Sequence, residues 1–204
     1  GYNSLVDTSG NNNTGIGYNA LKANQNAHNT GIGAYAGDAI TSGSSNVGVG
    51  YSAISAVQTT AGNTGVGADC LLLATGTNNT GLGKGAGDNI TSGSGNVIIG
   101  NVDADSATDS RQLVIAGYDG SSTTTWIKGV SSGAITFNSA YTFPTADGSS
   151  GQALVTDGSG TLTFDTVSTT ASDDSLATAR SNKNLAASIR TIDSFNITYA
   201  DSVF

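Results

Sequence analysis

The chain has 204 residues and a net charge of −8, with only seven Lys and Arg, which excludes a phosphate-tracking groove for nucleic acid. Its 15 acidic residues are all Asp, Met is absent, and a single cysteine, Cys70, excludes a disulfide-stapled domain. Charged residues make up 11% and hydrophobic residues 37%, so the chain is not a self-repelling disordered polymer; turn formers dominate, and short pieces must stack to bury enough surface. No stretch reads as a signal peptide or a membrane span, and the chain opens inside a repeat, as a piece of a longer protein does.

The repeat begins at once: Gly1-Tyr2-Asn3-Ser4-Leu5 is matched by Gly17-Tyr18-Asn19-Ala20-Leu21. The full phrase is Asn-Thr-Gly-aliphatic-Gly with small variations. It pairs Asn13 with Gly15 and Gly17, Asn29 with Gly31 and Gly33, and Asn46 with Gly48 and Gly50. It returns as Asn63 with Gly65 and Gly67, Asn79 with Gly81 and Gly83, and Asn96 with Gly100. The leading asparagines lie 16, 17, 17, 16 and 17 residues apart, and residues 29–50 agree with 79–100 at 15 of 22 positions. This period is too short for helical-pair repeats and suits one coil of a parallel β-solenoid, expected as two short strands and two turns. Thr14, Ile16, Tyr18 and Ala20 alternate with Gly15, Gly17 and Asn19, the period of a strand. The Ile, Val or Leu between the glycines is expected to point inward and stack on its equivalents. The asparagines are expected to form ladders at a spacing of about 4.8 Å, and the glycines to leave a bare face that a sister chain approaches. Cys70, beside Leu71, Leu72 and Leu73, reads as a buried small apolar residue.

The coil phrase resembles the left-handed parallel β-rolls in the heads of trimeric autotransporter adhesins. It resembles still more the repeats of long tail-fibre proteins of marine and cyanobacterial bacteriophages. The resemblance covers residues 1–100 and implies a homotrimer, which the spacing alone does not.

Beyond Gly100 the phrase stops. Residues 112–116, 124–127 and 134–137 read as strands, with Asp119-Gly120 as a turn, and residues 153–165 as a hairpin about Asp157-Gly158. The stretch from Phe143-Pro144 through Gly151-Gln152 to Ser159-Gly160 resembles a phage-fibre module in which β-segments of three chains wrap round one axis. Residues 101–168 are therefore expected to form β-rich fibre modules. Residues 169–204 read as a helical, coiled-coil-like segment and tail: Thr170 with Asp173 suits a capping box, and Asn182, Leu185, Ile189, Ile192 and Asn196 follow heptad spacing. Asp174 to Ser181 resembles the helical linkers of phage fibres.

Hidden chemistry finds little support in the pattern. The glycine phrases lack the spacing of a dinucleotide fingerprint, since Ala36 and Ala86 stand where its third glycine belongs. His28, the only histidine, lies in an Asn-rich turn, and Asp173 and Asp174 suit a helix start. Asp103, Asp105 and Asp109 follow the first positions of a calcium loop, but its glycine and its final acidic residue are missing. Tyr118, Trp126 and Tyr141, with Phe137 and Phe143, gather aromatics between 118 and 143. Their alternation suits core packing, and Tyr118, Trp126 and Tyr141 are the candidates for contact with a glycan.

The expected fold is mainly β: a left-handed β-roll of 16–17 residues per coil, then short β-modules and a C-terminal helix, in an intertwined homotrimer. The resemblance implies a structural fibre of a virion, a tail fibre or its shaft, that supports host attachment and is not an enzyme. No catalytic, cofactor or metal residues are assigned, and neither nucleic acid nor membrane insertion is expected. Expected partners are two copies of the same chain, other virion tail proteins, and a host-surface glycan or outer-membrane receptor. The place is the virion, outside the cell. A trimeric adhesin on a bacterial surface is the alternative, and a polysaccharide-degrading tailspike a third.

Overall fold

The fold is that of a computed structural model, which describes residues 1–6 and 9–166 and contains only strands and turns there. Six three-residue strands carry the repeated phrase: β1 (Thr14–Ile16), β2 (Thr30–Ile32), β3 (Val47–Val49), β4 (Thr64–Val66), β5 (Thr80–Leu82) and β6 (Val97–Ile99). They are followed by β7 (Leu113–Tyr118), β8 (Thr123–Gly129), β9 (Ile135–Phe137), β10 (Tyr141–Phe143), β11 (Gln152–Thr156) and β12 (Leu162–Thr166). Strands β1 to β10 form one sheet in chain order, parallel as far as β7 and antiparallel from there to β10. β11 and β12 form a sheet of two. The helical segment expected over residues 169–204 lies outside the described residues.

The chain divides into two compact units, Gly1–Asp147 with Val155–Thr163, and Gly148–Leu154 with Phe164–Phe204. Within the second unit, Ser149 and Gln152 exchange hydrogen bonds of 2.7 and 3.1 Å, and the Phe164 ring lies so close to Gly148 that a Cβ there would stand 2.5 Å from it. The first unit holds a β-solenoid of about six turns. Its parallel stacking runs on past Gly100, because β7 pairs in register with β6, Val97 opposite Leu113 and Ile99 opposite Ile115.

Each coil contributes one strand rather than the two expected from the period. The second leg is a run of turns in which backbone amides still reach the neighbouring coils. Asn19, Tyr35, Ser52, Asp69 and Gly85 donate backward to Tyr2, Tyr18, Ala34, Tyr51 and Ala68. Two residues on in each coil, Leu21, Gly37, Ile54, Leu71 and Gly87 donate forward to Ala36, Ala53, Cys70, Ala86 and Val102. The reversal is possible because these residues have positive φ, from 51° at Leu21, Ile54 and Leu71 to 62° at Gly85 and Gly87. The left-handed region costs an L-residue roughly 1–2 kcal/mol, most acutely a β-branched one such as Ile54. Closing the amide hydrogen bonds in both axial directions offsets that strain at every coil.

The inward and outward faces of the strands are the reverse of the expected ones. Gly31, Gly48, Gly65 and Gly81 are buried, while Ile16, Ile32 and Leu82 are exposed. The interior is too narrow for a side chain from both legs. A Cβ on Gly31 would lie 2.8 Å from Leu21, one on Gly48 2.7 Å from Ile54, and one on Gly81 2.4 Å from the Cys70 sulfur. Inward bulk comes instead from the turn leg, from Leu21, Ile40, Ile54, Val57, Leu71 and Ile90, and Cys70 is buried with them as expected.

Volume is exchanged between two inward turn positions in most coils, the coil of Ile54 and Val57, both large and buried, being the exception. Where the first inward turn position is Leu (Leu21, Leu71), the one three residues later is small (Asn24, Ala74). Where it is glycine (Gly37, Gly87), the later one is isoleucine (Ile40, Ile90), whose Cδ1 reaches within 2.8 and 3.0 Å of the space a Cβ would take. In the last repeat both turn positions are alanine (Ala104, Ala107), and the strand supplies Ile98 in place of the usual glycine. Cores tolerate exchange when total volume is kept. Gly37→Leu alone is expected to lower stability by about 1–3 kcal/mol and Ile40→Ala alone by about 2–5 kcal/mol. The double variant is expected to lose less than the sum of the two, in urea unfolding followed by circular dichroism.

Candidate functional site

Along the corner before each strand runs a column of buried amides: Asn29, Asn46, Asn63, Asn79 and Asn96, entered by half-buried Asn13. The side-chain oxygen of each accepts the backbone N–H of the next, at 2.8 Å from Asn29 to Asn13, 2.9 Å from Asn46 to Asn29 and from Asn63 to Asn46, and 3.0 Å from Asn79 and Asn96 to their predecessors. Each Nδ2 donates to a turn carbonyl of the following coil: Asn29 to Gly43, Asn46 to Thr60, Asn63 to Gly76 and Asn79 to Gly93, at 2.9 to 3.0 Å. Only an amide supplies donor and acceptor in that geometry. The residue just before each ladder position, Asn12, His28, Ser45, Gly62, Asn78 and Gly95, has φ of 56° to 74° and turns the chain into the column. His28 is thereby a turn residue, its ring nitrogen 3.3 Å from Asn12 Nδ2.

The ladder ends on Gln112, which the repeat phrase does not mark. Its backbone N–H donates to Asn96 Oδ1 at 2.8 Å, as an asparagine's would. The longer side chain turns aside: Nε2 donates to the carbonyls of Ser106 and Asp109, and Oε1 accepts from the Ser106 amide. The spacing from Asn96 to Gln112 is 16 residues, a signal that was present in the sequence.

The second glycine of each phrase, Gly17, Gly33, Gly50, Gly67, Gly83 and Gly100, sits at a corner with φ between 112° and 139°. A Cβ there would strike the carbonyl oxygen of the next coil at 2.0 to 2.6 Å. These glycines therefore serve stacking within the chain. Next to them Tyr2, Tyr18, Tyr35 and Tyr51 form an aromatic column with ring centroids 5.4 to 5.9 Å apart.

The outward face of the strands carries an unbroken file, Ile16, Ile32, Val49, Val66, Leu82, Ile99 and Ile115, each in register with the next. Ile16 is 57% and Leu82 50% exposed. Beside it runs Thr14, Thr30, Val47, Thr64, Thr80, Val97 and Leu113.

The acidic residues of the calcium-like spacing do not converge. Asp103 lies beside Asp88, Asp105 pairs with Lys128 across 2.5 Å, and Asp109 offers its backbone carbonyl to Asn96 and Gln112. Among the described residues, no three His, Cys or acidic side chains gather as a metal would need. Asp88 is partly desolvated, and with Asp103 and Asp69 beside it, its carboxyl is pushed from 3.8 up to about 6.

The aromatic candidates separate into two places. Tyr118 and Trp126 come together at the tip of the β7–β8 hairpin, lining a depression of about 350 Å³ with Gly117, Asp119, Ser122 and Thr124. Tyr141 lies on β10, beside a separate groove formed with Ser139, Ala140, Thr156 and Gly158 to Gly160. All three are about half exposed, as are Phe137 and Phe143 to a lesser degree, so none of the five is core.

Two predictions follow from the column and the acidic pair. Asn63→Ala leaves the Asn79 amide and the Gly76 carbonyl buried without their partner, and should cost about 2–6 kcal/mol in urea unfolding. Asp88, with its folded value raised to about 6, binds its proton more tightly in the fold, so stability falls as pH rises from about 4 to 6. The Asp38 carboxyl, also raised by burial, has the same sign. Scanning calorimetry should show Tm rising on acidification from pH 7.5 to 4.5, with a flatter profile for Asp88→Asn.

Comparison of the chain with family models, with curated proteins and with solved structures gives no match.

Proposed function

We propose that this chain is a structural segment of a trimeric virion fibre, a tail fibre or its shaft, whose stacked left-handed coils support attachment to a host. The observation that carries the reading is the outward aliphatic file on the strand face, exposed at Ile16, Ile32 and Leu82 and half-buried at its other positions. Seven aliphatic residues in strict register make a continuous apolar strip on a chain otherwise rich in polar turns. Contiguous strips of this kind mark association surfaces. The strip repeats with the coil, so a partner with the same period matches it along its whole length, and two further copies of this chain supply that partner.

The function in this reading is mechanical and non-enzymatic. Hydrogen bonds along the axis resist bending, and three chains multiply weak attachment to repeated surface groups. Its partners are other tail proteins of the virion and a host-surface glycan or outer-membrane receptor, and its place is outside the cell. The likeness of residues 143–160 to phage-fibre modules favours a virion over the second reading, a trimeric adhesin on a bacterial surface.

Sedimentation equilibrium is expected to give three times the 20.1 kDa chain mass, and a monomer overturns the reading. Leu82→Asp, on the outward file, should dissociate the trimer while the far-ultraviolet circular dichroism of the coils persists. Detection of the chain in purified virions separates the phage from the adhesin.

A further inference from the structure

The tip of the β7–β8 hairpin carries a feature that neither the coils nor the fibre requires. The two strands are antiparallel, with Ile115 opposite Ile127 but Ala116 opposite Thr125, so Trp126 is the extra residue of a β-bulge. A bulge leaves its extra residue without a cross-strand partner and re-aims its side chain. Trp126 is aimed across the hairpin onto Gly117, where an added Cβ would lie 2.6 Å from the indole ring. Gly117 has no positive-φ backbone demanding glycine; its missing side chain is the seat of the indole. Even so seated, Trp126 is 53% exposed.

The other walls are held in place. The Tyr118 hydroxyl donates to the Gly120 carbonyl at 2.9 Å, which fixes the phenol at the rim. Asp119 Oδ1 accepts the amides of Ser121 and Ser122, each at 2.8 Å, and these bonds hold its carboxyl below the ordinary range and charged. The depression of about 350 Å³ falls within the roughly 300–1,000 Å³ of small-molecule sites.

The geometry points to a saccharide site: the Trp126 indole and the Tyr118 ring carry the C–H face of a neutral hexose, while the Asp119 carboxylate and the Ser122 and Thr124 hydroxyls bond to its hydroxyl groups. An aromatic platform beside fixed hydrogen-bonding groups matches a ring that is apolar on its faces and polar at its edge. The ligand is neutral because Asp119 and a chain of net charge −8 repel anionic sugars. The site deepens the fibre reading by naming the class of receptor group, and it rests on that reading for its role.

Trp126 is the only tryptophan, so its fluorescence reports this site alone. The full chain is titrated with neutral oligosaccharides of glucose, galactose and mannose, with a sulfated oligosaccharide as the charge control. Acrylamide is expected to quench the free protein, and at least one neutral oligosaccharide to protect the indole and shift its emission. Gly117→Val, which unseats the indole, and Tyr118→Ala should each weaken binding by about tenfold or more. The melting of the coils should stay unchanged in both. An indole inaccessible to quencher in the free protein, protection by no neutral sugar, protection by the sulfated one alone, or binding indifferent to both variants overturns the proposal. A monomeric protein that still binds the sugar defeats the fibre and leaves the site, and a trimer that binds none does the reverse.

Discussion

A buried asparagine in one coil is satisfied by the coils on either side of it, its Nδ2 also reaching the side-chain oxygen of the asparagine before it at 3.0 to 3.3 Å. Its oxygen needs the next backbone amide, and its nitrogen needs a carbonyl on the following turn, at distances near 2.9 Å. Because a buried amide left unpaired costs about 1–3 kcal/mol per group, neighbouring coils must keep register to within a fraction of a hydrogen bond. The column thus sets the axial spacing to which everything else conforms. It also makes stability a property of neighbours rather than of single coils, the behaviour of one-dimensional repeat arrays. Gln112 ends the sequence of obligations by turning its longer amide into the loop of Ser106 and Asp109.

That constraint accounts for the composition. Coils held at β-spacing leave no room for a Cβ at the corner, where the nearest carbonyl oxygen would stand within 2.6 Å at Gly83 and closer elsewhere. The narrow interior admits bulk from one leg at a time, so glycine stands opposite Leu21, Ile54 and Cys70, and bulk moves to the strand only at Ile98. Amides that alternate toward the coil before and the coil after require positive φ, which explains the abundance of Asn, Asp, Ser and Gly in the turn leg. A protein so poor in side-chain volume is held as much by axial hydrogen bonds as by its core.

Stacking stops where β7 passes from a parallel partner to an antiparallel one. From there the sheet no longer needs to repeat, and irregularity becomes available. The bulge at Trp126 and the bare backbone of Gly117 are the first use of that freedom, and they set an aromatic platform beside Asp119 at an exposed tip. The coils below present instead a regular apolar strip, suited to partners with the same period.

The repeat was legible in the sequence because each coil must meet the same axial constraint. Asn29, Asn46 and Asn63, the paired glycines and the 16 to 17 residue period appear as plain recurrence, and with them the solenoid and the amide ladder. The strands after residue 112 other than β10 were legible from alternation, and the Asp119-Gly120 turn from its residues. Which way the Gly-aliphatic-Gly phrase faces was not legible. Alternation specifies two faces but not which is inside, and Ile16 reads inward only if the interior can hold it. The width of the interior decided otherwise, since Leu21 and Ile54 already fill it from the other leg. Nor does alternation reveal a bulge, so Trp126 reads as an ordinary strand residue until its partner strand is in place. The sequence by itself determined the coil, its period and its ladder, because those depend on residues repeated at fixed spacing. Only the tertiary structure decided the inner face, the volume exchange between the two legs and the setting of Trp126, because those depend on what stands across the coil or the hairpin.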